Sequence, residues 1–230
     1  MFCLIIVLGH HLPLSANAPA KLLAPAPQVH PLPGSLAAWQ DSAQQGDYFD
    51  SLQMPKAGAL IWSQFPIRIY VGPAAVSTSD LTDWQQATNA AIADWQPYLP
   101  LALTQDSKAA DIIIENHKPE SRSGDRVRAA ETRCFDFYAD EFNRLNHRCR
   151  INISPNQPGT QKHRMASVRH ELGHALGIWR GHSPSETDAL YFEQVRTPPK
   201  ISDRDINTLK RVYEQPTRLG WPLPSSTRPE

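Results

Sequence analysis

The stretch RHELGHALGIWRGHS, residues 169–183, decides how this chain is read. His170 and His174 stand four residues apart, and His182 follows in the next turn of chain. On a helix, residues i and i+4 project from one face, so two imidazoles there can share one metal ion. Glu171 is one step round that helix, within reach of a water on the metal. This is the physical content of the H-E-x-x-H pattern. Gly173 and Ala175 are small and let the helix lie close to a sheet. Gly177 is expected to end the helix in a left-handed conformation and turn the chain back, so that the next loop can supply a third ligand.

A bare H-E-x-x-H also arises by chance on surface helices. Here it comes with an amphipathic helix, a glycine three residues after the second histidine, and a third histidine. These features together point to a zinc (Zn2+) hydrolase. His10, His11, His30, His117, His147 and His163 have no such company and read as solvated or signal-segment residues.

Upstream, PIRIYV sets Ile67, Ile69 and Val71 against Arg68 and Tyr70, a period of two that predicts a strand. A helix is expected over about 80–96, with Leu81, Trp84, Ala87, Ala91, Ile92 and Trp95 on one side and Ser79 or Asp80 as its cap. LALT (101–104) and DIIIE (111–115) read as strands, the second as an interior one because its apolar run is continuous. Residues 116–147 are polar and predict a long irregular region. CRINIS (149–154) alternates again, and a helix follows over about 161–178. In ISDRDI, Ser202 and Asp205 form an Asp variant of the capping box, with Ile201 and Ile206 as a staple. Ile206, Leu209, Val212 and Tyr213 give that last helix one apolar face. The order predicts an α+β fold with one mixed sheet and few helices.

The ends read differently. Phe2 to Gly9 is a short apolar core followed by small residues, which reads as a signal peptide over 1–20 rather than a buried strand. A cut after Ala18 or Ala20 suits it, although no Lys or Arg precedes Lys21. Residues 21–58 read as a Pro-rich linker with a packed leader or pro-segment, 59–214 as the catalytic domain, and 215–230 as a Pro-rich tail. Export would remove Cys3 and leave Cys134 and Cys149, an even pair expected to bridge in an oxidising compartment. Two independent buried thiols are the alternative. The chain is expected to be secreted or periplasmic, monomeric, and without a membrane span once mature. Lys and Arg total 23 against 23 for Asp and Glu, a balance that argues against a nucleic-acid surface.

HELGHALG with a nearby histidine resembles the metzincin zinc endopeptidases, especially their matrixin-like branch. ALYF followed by ISDRDINTLKRVY is similar to the stretch that leads from their Met-turn into the final helix. PIRIYV, the long helix and ADIIIE resemble the first half of that catalytic domain. The likeness covers roughly residues 59–214. It implies a twisted five-stranded sheet with two long helices above a shallow cleft, and a small C-terminal subdomain carrying a third helix. It implies a peptide or protein substrate laid in extended form against the strand at 149–154, with Glu171 as general base and zinc as cofactor. A catalytically silent peptide- or metal-binding protein, or a zinc amidase acting on cell-wall peptides, are the alternatives.

Three positions depart from the family pattern. Its third histidine would fall at Arg180; His182 comes two residues later. Arg180 offers no lone pair at neutral pH, so His182 is the expected ligand beside His170 and His174, with Glu186 and Asp188 as carboxylate rivals. Gly181 is expected to lend the loop its freedom. Tyr191 stands where the Met-turn methionine would be and is expected to pack beneath or beside the metal. No pro-segment cysteine is available to cap the zinc; the Asp47 carboxylate in QGDYFD could do so, but reads more simply as a solvated turn residue.

Overall fold

The structure, a computed structural model, describes residues 24–75, 78–120, 128–157, 160–193 and 195–224. The signal-like residues 1–20 and the end of the tail lie outside the described residues. The fold is α+β, with a five-stranded mixed sheet and four helices. The strands are β1 (Ile67–Val71), β2 (Leu101–Thr104), β3 (Ile112–Glu115), β4 (Ala130–Ala139) and β5 (Leu145–Ile153). The helices are α1 (Gly34–Ala38), α2 (Thr78–Trp95), α3 (Gln161–Leu176) and α4 (Asp203–Tyr213). Among the described residues no helix is long and apolar enough to cross a membrane.

The sheet order is β2-β1-β3-β5-β4. β1 pairs in parallel with β2 and β3, β3 in parallel with β5, and β4 closes the edge antiparallel to β5. Parallel neighbours need a crossover between them, and α2 supplies the one from β1 to β2. β3 lies inside the sheet, so Ile112, Ile113 and Ile114 are all buried, as their continuous run requires. β1 buries Ile67 and Ile69 and exposes Arg68. α2 packs along α3, and α3 packs on β4 and β5. Two tryptophans of α2 bury their rings and still satisfy their N–H groups: Trp84 donates to the Gly72 carbonyl and Trp95 to that of Arg169, both at 2.9 Å. The backbone of α2 starts at Thr78, so Ser79 and Asp80 fall within its first turn; their side chains lie outside the described residues.

The polar stretch after residue 116, expected to be irregular, contains a long strand instead. β4 escapes a period-two reading because its register with β5 shifts between Arg133 and Asp136. Across the irregularity alternation is lost: Cys134 is fully buried, and Phe135, Asp136 and Phe137 in succession are exposed. The Cys134–Cys149 disulfide ties β4 to β5 beneath α3, as the even pair predicted.

The proline-rich ends also belong to the folded body. Leu36 of α1 and Tyr48 are buried in the core. Gln28 pairs with Thr217, and the His30 and Trp221 rings stack at 4.2 Å. Leu219 is buried as well. Residue 59 is therefore no boundary in the packing. Among the described residues the two ends hold only short helical turns and isolated bridges, too brief for hydrophobic periodicity to reveal; isolated apolar anchors hold them in place.

His147, expected to be solvated, is 2% exposed, stacked 4.1 Å from Trp62, and its Nε2 has no partner. Burial lowers its pKa to about 3. An unfolded histidine titrates near ~6.5, so between that pH and about 3 the unfolded chain binds the extra proton and stability falls as pH falls. The slope from one such group is ~1.4 kcal/mol per pH unit. His147→Phe keeps the stacking ring and removes the proton site. Denaturant unfolding of chelator-treated protein should show the variant losing roughly 2–3 kcal/mol less than the parent between pH 6.5 and 4.5. Equal losses would show that His147 does not set the acid limb.

Candidate metal centre

α3 carries the first two histidines on one face, as their spacing dictates, and ends where expected. Its last residue is Leu176, and Gly177 caps it with φ 138°. The chain then turns through Ile178 and Trp179 and brings His182 back over the helix. Ligand nitrogens of His170, His174 and His182 all lie within 4.8 Å of one another. The Nε2 atoms of His170 and His174 are 3.1 Å apart. Two zinc–nitrogen bonds of ~2.0–2.1 Å at a tetrahedral angle would hold their nitrogens ~3.3–3.4 Å apart, so this spacing fits a first-row metal.

Hydrogen bonds fix which nitrogens face the centre. His170 Nδ1 lies 2.9 Å from the Ala189 carbonyl, and His174 Nδ1 lies 2.7 Å from that of Ile178. A ring that donates through Nδ1 presents a lone pair on Nε2, the tautomer a metal needs. Burial lowers the pKa of each of the three imidazoles to about 4, with the neighbouring imidazoles adding to the effect. All three are neutral at neutral pH and free to ligate.

Glu171 is buried beside this triad. Burial raises its pKa, while His174 and a hydrogen bond from Thr132 oppose the rise. Thr132 Oγ1 lies 2.6 Å from Glu171 Oε2 and 3.0 Å from the Glu171 carbonyl. Thr132 belongs to β4, so the edge strand holds the carboxylate in place. No local pattern announces this partner, because it lies 39 residues away in a stretch without strand periodicity.

The loop beneath the ligands is held from α4. Ser202 and Asp205 form the expected capping box. Asp205 does more: its carboxylate also accepts from the Ala189 N–H at 2.8 Å and from the Tyr48 hydroxyl at 2.5 Å. Ala189 in turn accepts from His170 at its carbonyl, so one carboxylate links the start of α4 to a ligand. Leu190 is fully buried, and a Cβ on Gly173 would sit 2.6 Å from it. Leu190 is thus the apolar contact under α3. Tyr191, expected near the metal floor, is half-buried and lines a recess of about 170 Å³ next to His170 and Glu171.

The rival carboxylates are engaged elsewhere or apart from the triad. Asp188 is buried, bonded to the Ser183 hydroxyl and paired with Arg204 at 3.1 Å. Glu186 is exposed and outside the cluster. Asp47 accepts from the Phe49 N–H and pairs with Arg211 at 3.0 Å, so it does not serve as a zinc cap. Its segment instead supports His182. Ser51 Oγ donates to the His182 carbonyl at 3.1 Å, and a Cβ on Gly181 would meet Leu52 at 2.4 Å. Glycine is needed at 181 for this close approach of two backbones; the left-handed residue of the loop is Arg180, with φ 49°.

The triad and Glu171 open into a cleft of about 1150 Å³ bordered by Ala129 to Arg133 of the β4 side. Among the described residues β4 is the edge strand, with no strand paired on its outer side. The strand at 149–154, expected to border the cleft, falls largely within β5 and pairs on both sides, which leaves it no edge to offer. No family model matches the chain, and no curated protein matches it.

Proposed function

We propose that this chain is an exported zinc endopeptidase of the metzincin type that cleaves extended peptide segments. The observation that carries this is the buried Glu171 carboxylate, braced by Thr132, beside three converging neutral imidazoles in an open cleft. A purely structural metal site has no use for a base at that position. His170, His174 and His182 would hold the ion and leave one position open. Zinc bound there supplies a water acidified toward pKa ~7 and Lewis-acid polarisation of the substrate carbonyl. Glu171 takes the proton of the attacking water and passes it to the departing amine. Its raised pKa suits both steps, since a base with a pKa nearer the working pH can also give the proton back. The free edge of β4 can pair with the substrate backbone, and the recess beside Tyr191 can take a side chain. The buried Cys134–Cys149 bridge suits an oxidising compartment.

The test is incubation of the zinc-loaded chain with a peptide library blocked at both termini, with and without chelator, and mass analysis of the fragments. Internal cleavage that chelator abolishes is the expected result. Intact peptides in both conditions would favour a silent binding protein or an amidase of other bonds.

A further inference from the structure

We infer that Arg180 makes the cleft selective for peptides that carry an acidic side chain two or three residues to one side of the scissile bond. This rests on the endopeptidase function proposed above and names its substrate class. Arg180 lies in the wall of the same cleft as the triad and Glu171. Its guanidinium lies 5.3 Å from the centre of the Phe135 ring and 5.5 Å from that of Trp179, and the two rings meet edge to face at 5.1 Å. The aromatic pair holds the cation in place without neutralising it.

The other arginines along this wall are paired. Arg128 bonds Glu131, and Arg133 bonds both Glu120 and Glu131, at 3.0 Å in each case. Among the described residues Arg180 is exposed and has no acidic partner. Its N–H fork is therefore open to a carboxylate from outside, the group it binds best in bidentate fashion. Its backbone is left-handed at φ 49°, a conformation that costs a non-glycine residue stability. An arginine that is strained, unpaired and stacked on an exposed ring is poorly explained by stability alone.

The register follows from β4. Thr132, bonded to Glu171, marks the level of the reacting centre, and Phe135 under Arg180 is three residues further along the strand. The register shift between Arg133 and Asp136 takes up one residue of this interval, so at ~3.3–3.4 Å per residue the advance is roughly 7–10 Å, or two to three residues of a substrate strand laid alongside. The recess on the other side of the centre is lined by Asp188 and Glu193 and by no arginine or lysine. The preference is therefore one-sided.

The test uses matched peptides with one cut site and Glu, Gln or Lys placed two or three residues from it on either side. The zinc-loaded parent should favour Glu over Gln about three- to tenfold in kcat/KM on one side only. Arg180→Gln should bring that ratio near unity, and Arg180→Glu should turn the preference toward Lys. A role in loop packing alone would slow all peptides alike and leave the ratio unchanged, which would overturn the inference. A parent that cleaves without regard to charge would also overturn it, while leaving the peptidase function intact. If nothing is cleaved, the peptidase function fails. Anisotropy of the same labelled peptides on zinc-loaded Glu171→Gln protein then decides the inference: the Glu preference must appear in binding and vanish when Arg180→Gln is added.

Discussion

Glu171→Gln is expected to keep zinc at full stoichiometry and to slow peptide hydrolysis by about 10²–10⁴-fold, the range a positioned base contributes. Gln has the same size, and the Thr132 hydroxyl that now donates to the carboxylate can donate to an amide oxygen instead. The three ligands are untouched, since none of their hydrogen bonds runs through Glu171. What disappears is basicity at one buried atom. Turnover within a few-fold of the parent would remove Glu171 from the mechanism. Loss of metal would assign it a structural part in the site.

His182→Ala is expected to weaken zinc by more than about 10²-fold, beyond the upper end of what loss of an outer partner costs. His170 and His174 are fixed by a shared helix and by two backbone carbonyls, but two imidazoles alone leave the ion half-coordinated. Glu186→Ala should bind zinc as the parent does, because that side chain lies outside the triad. Competition against a chromophoric chelator measures both. Parent-like affinity in His182→Ala, with a loss in Glu186→Ala, would reverse the ligand assignment.

The contrast between those residues and Thr132 explains what could be read from the chain. His170, Glu171 and His174 are neighbours because a helix places i and i+4 together, a local rule visible in any window of five residues. The capping box of α4 is equally local. β1 and β3 carry their burial in period and composition. Thr132, Ser51 and Tyr48 reach the site from segments far along the chain, and no local pattern encodes such pairings. β4 is hidden for a different reason: its register shift falls at Cys134 and Phe135, and three residues in succession are then exposed, so no period of two survives. His147 was misread because a lone histidine carries no sequence mark of burial; only the Trp62 ring stacked on it does. Leu52 and Ser51 press on Gly181, and the N-terminal segment gives the loop that carries His182 a wall to rest on, a contact no local pattern encodes.

The most direct measurement is a zinc titration of the chelator-stripped chain while hydrolysis of unfolded casein is followed. Activity should be absent at the start, rise linearly, and level off at one zinc per chain, with no rise in Glu171→Gln. Hydrolysis that persists in the stripped chain, or none at any zinc level despite stoichiometric binding, would contradict a zinc peptidase.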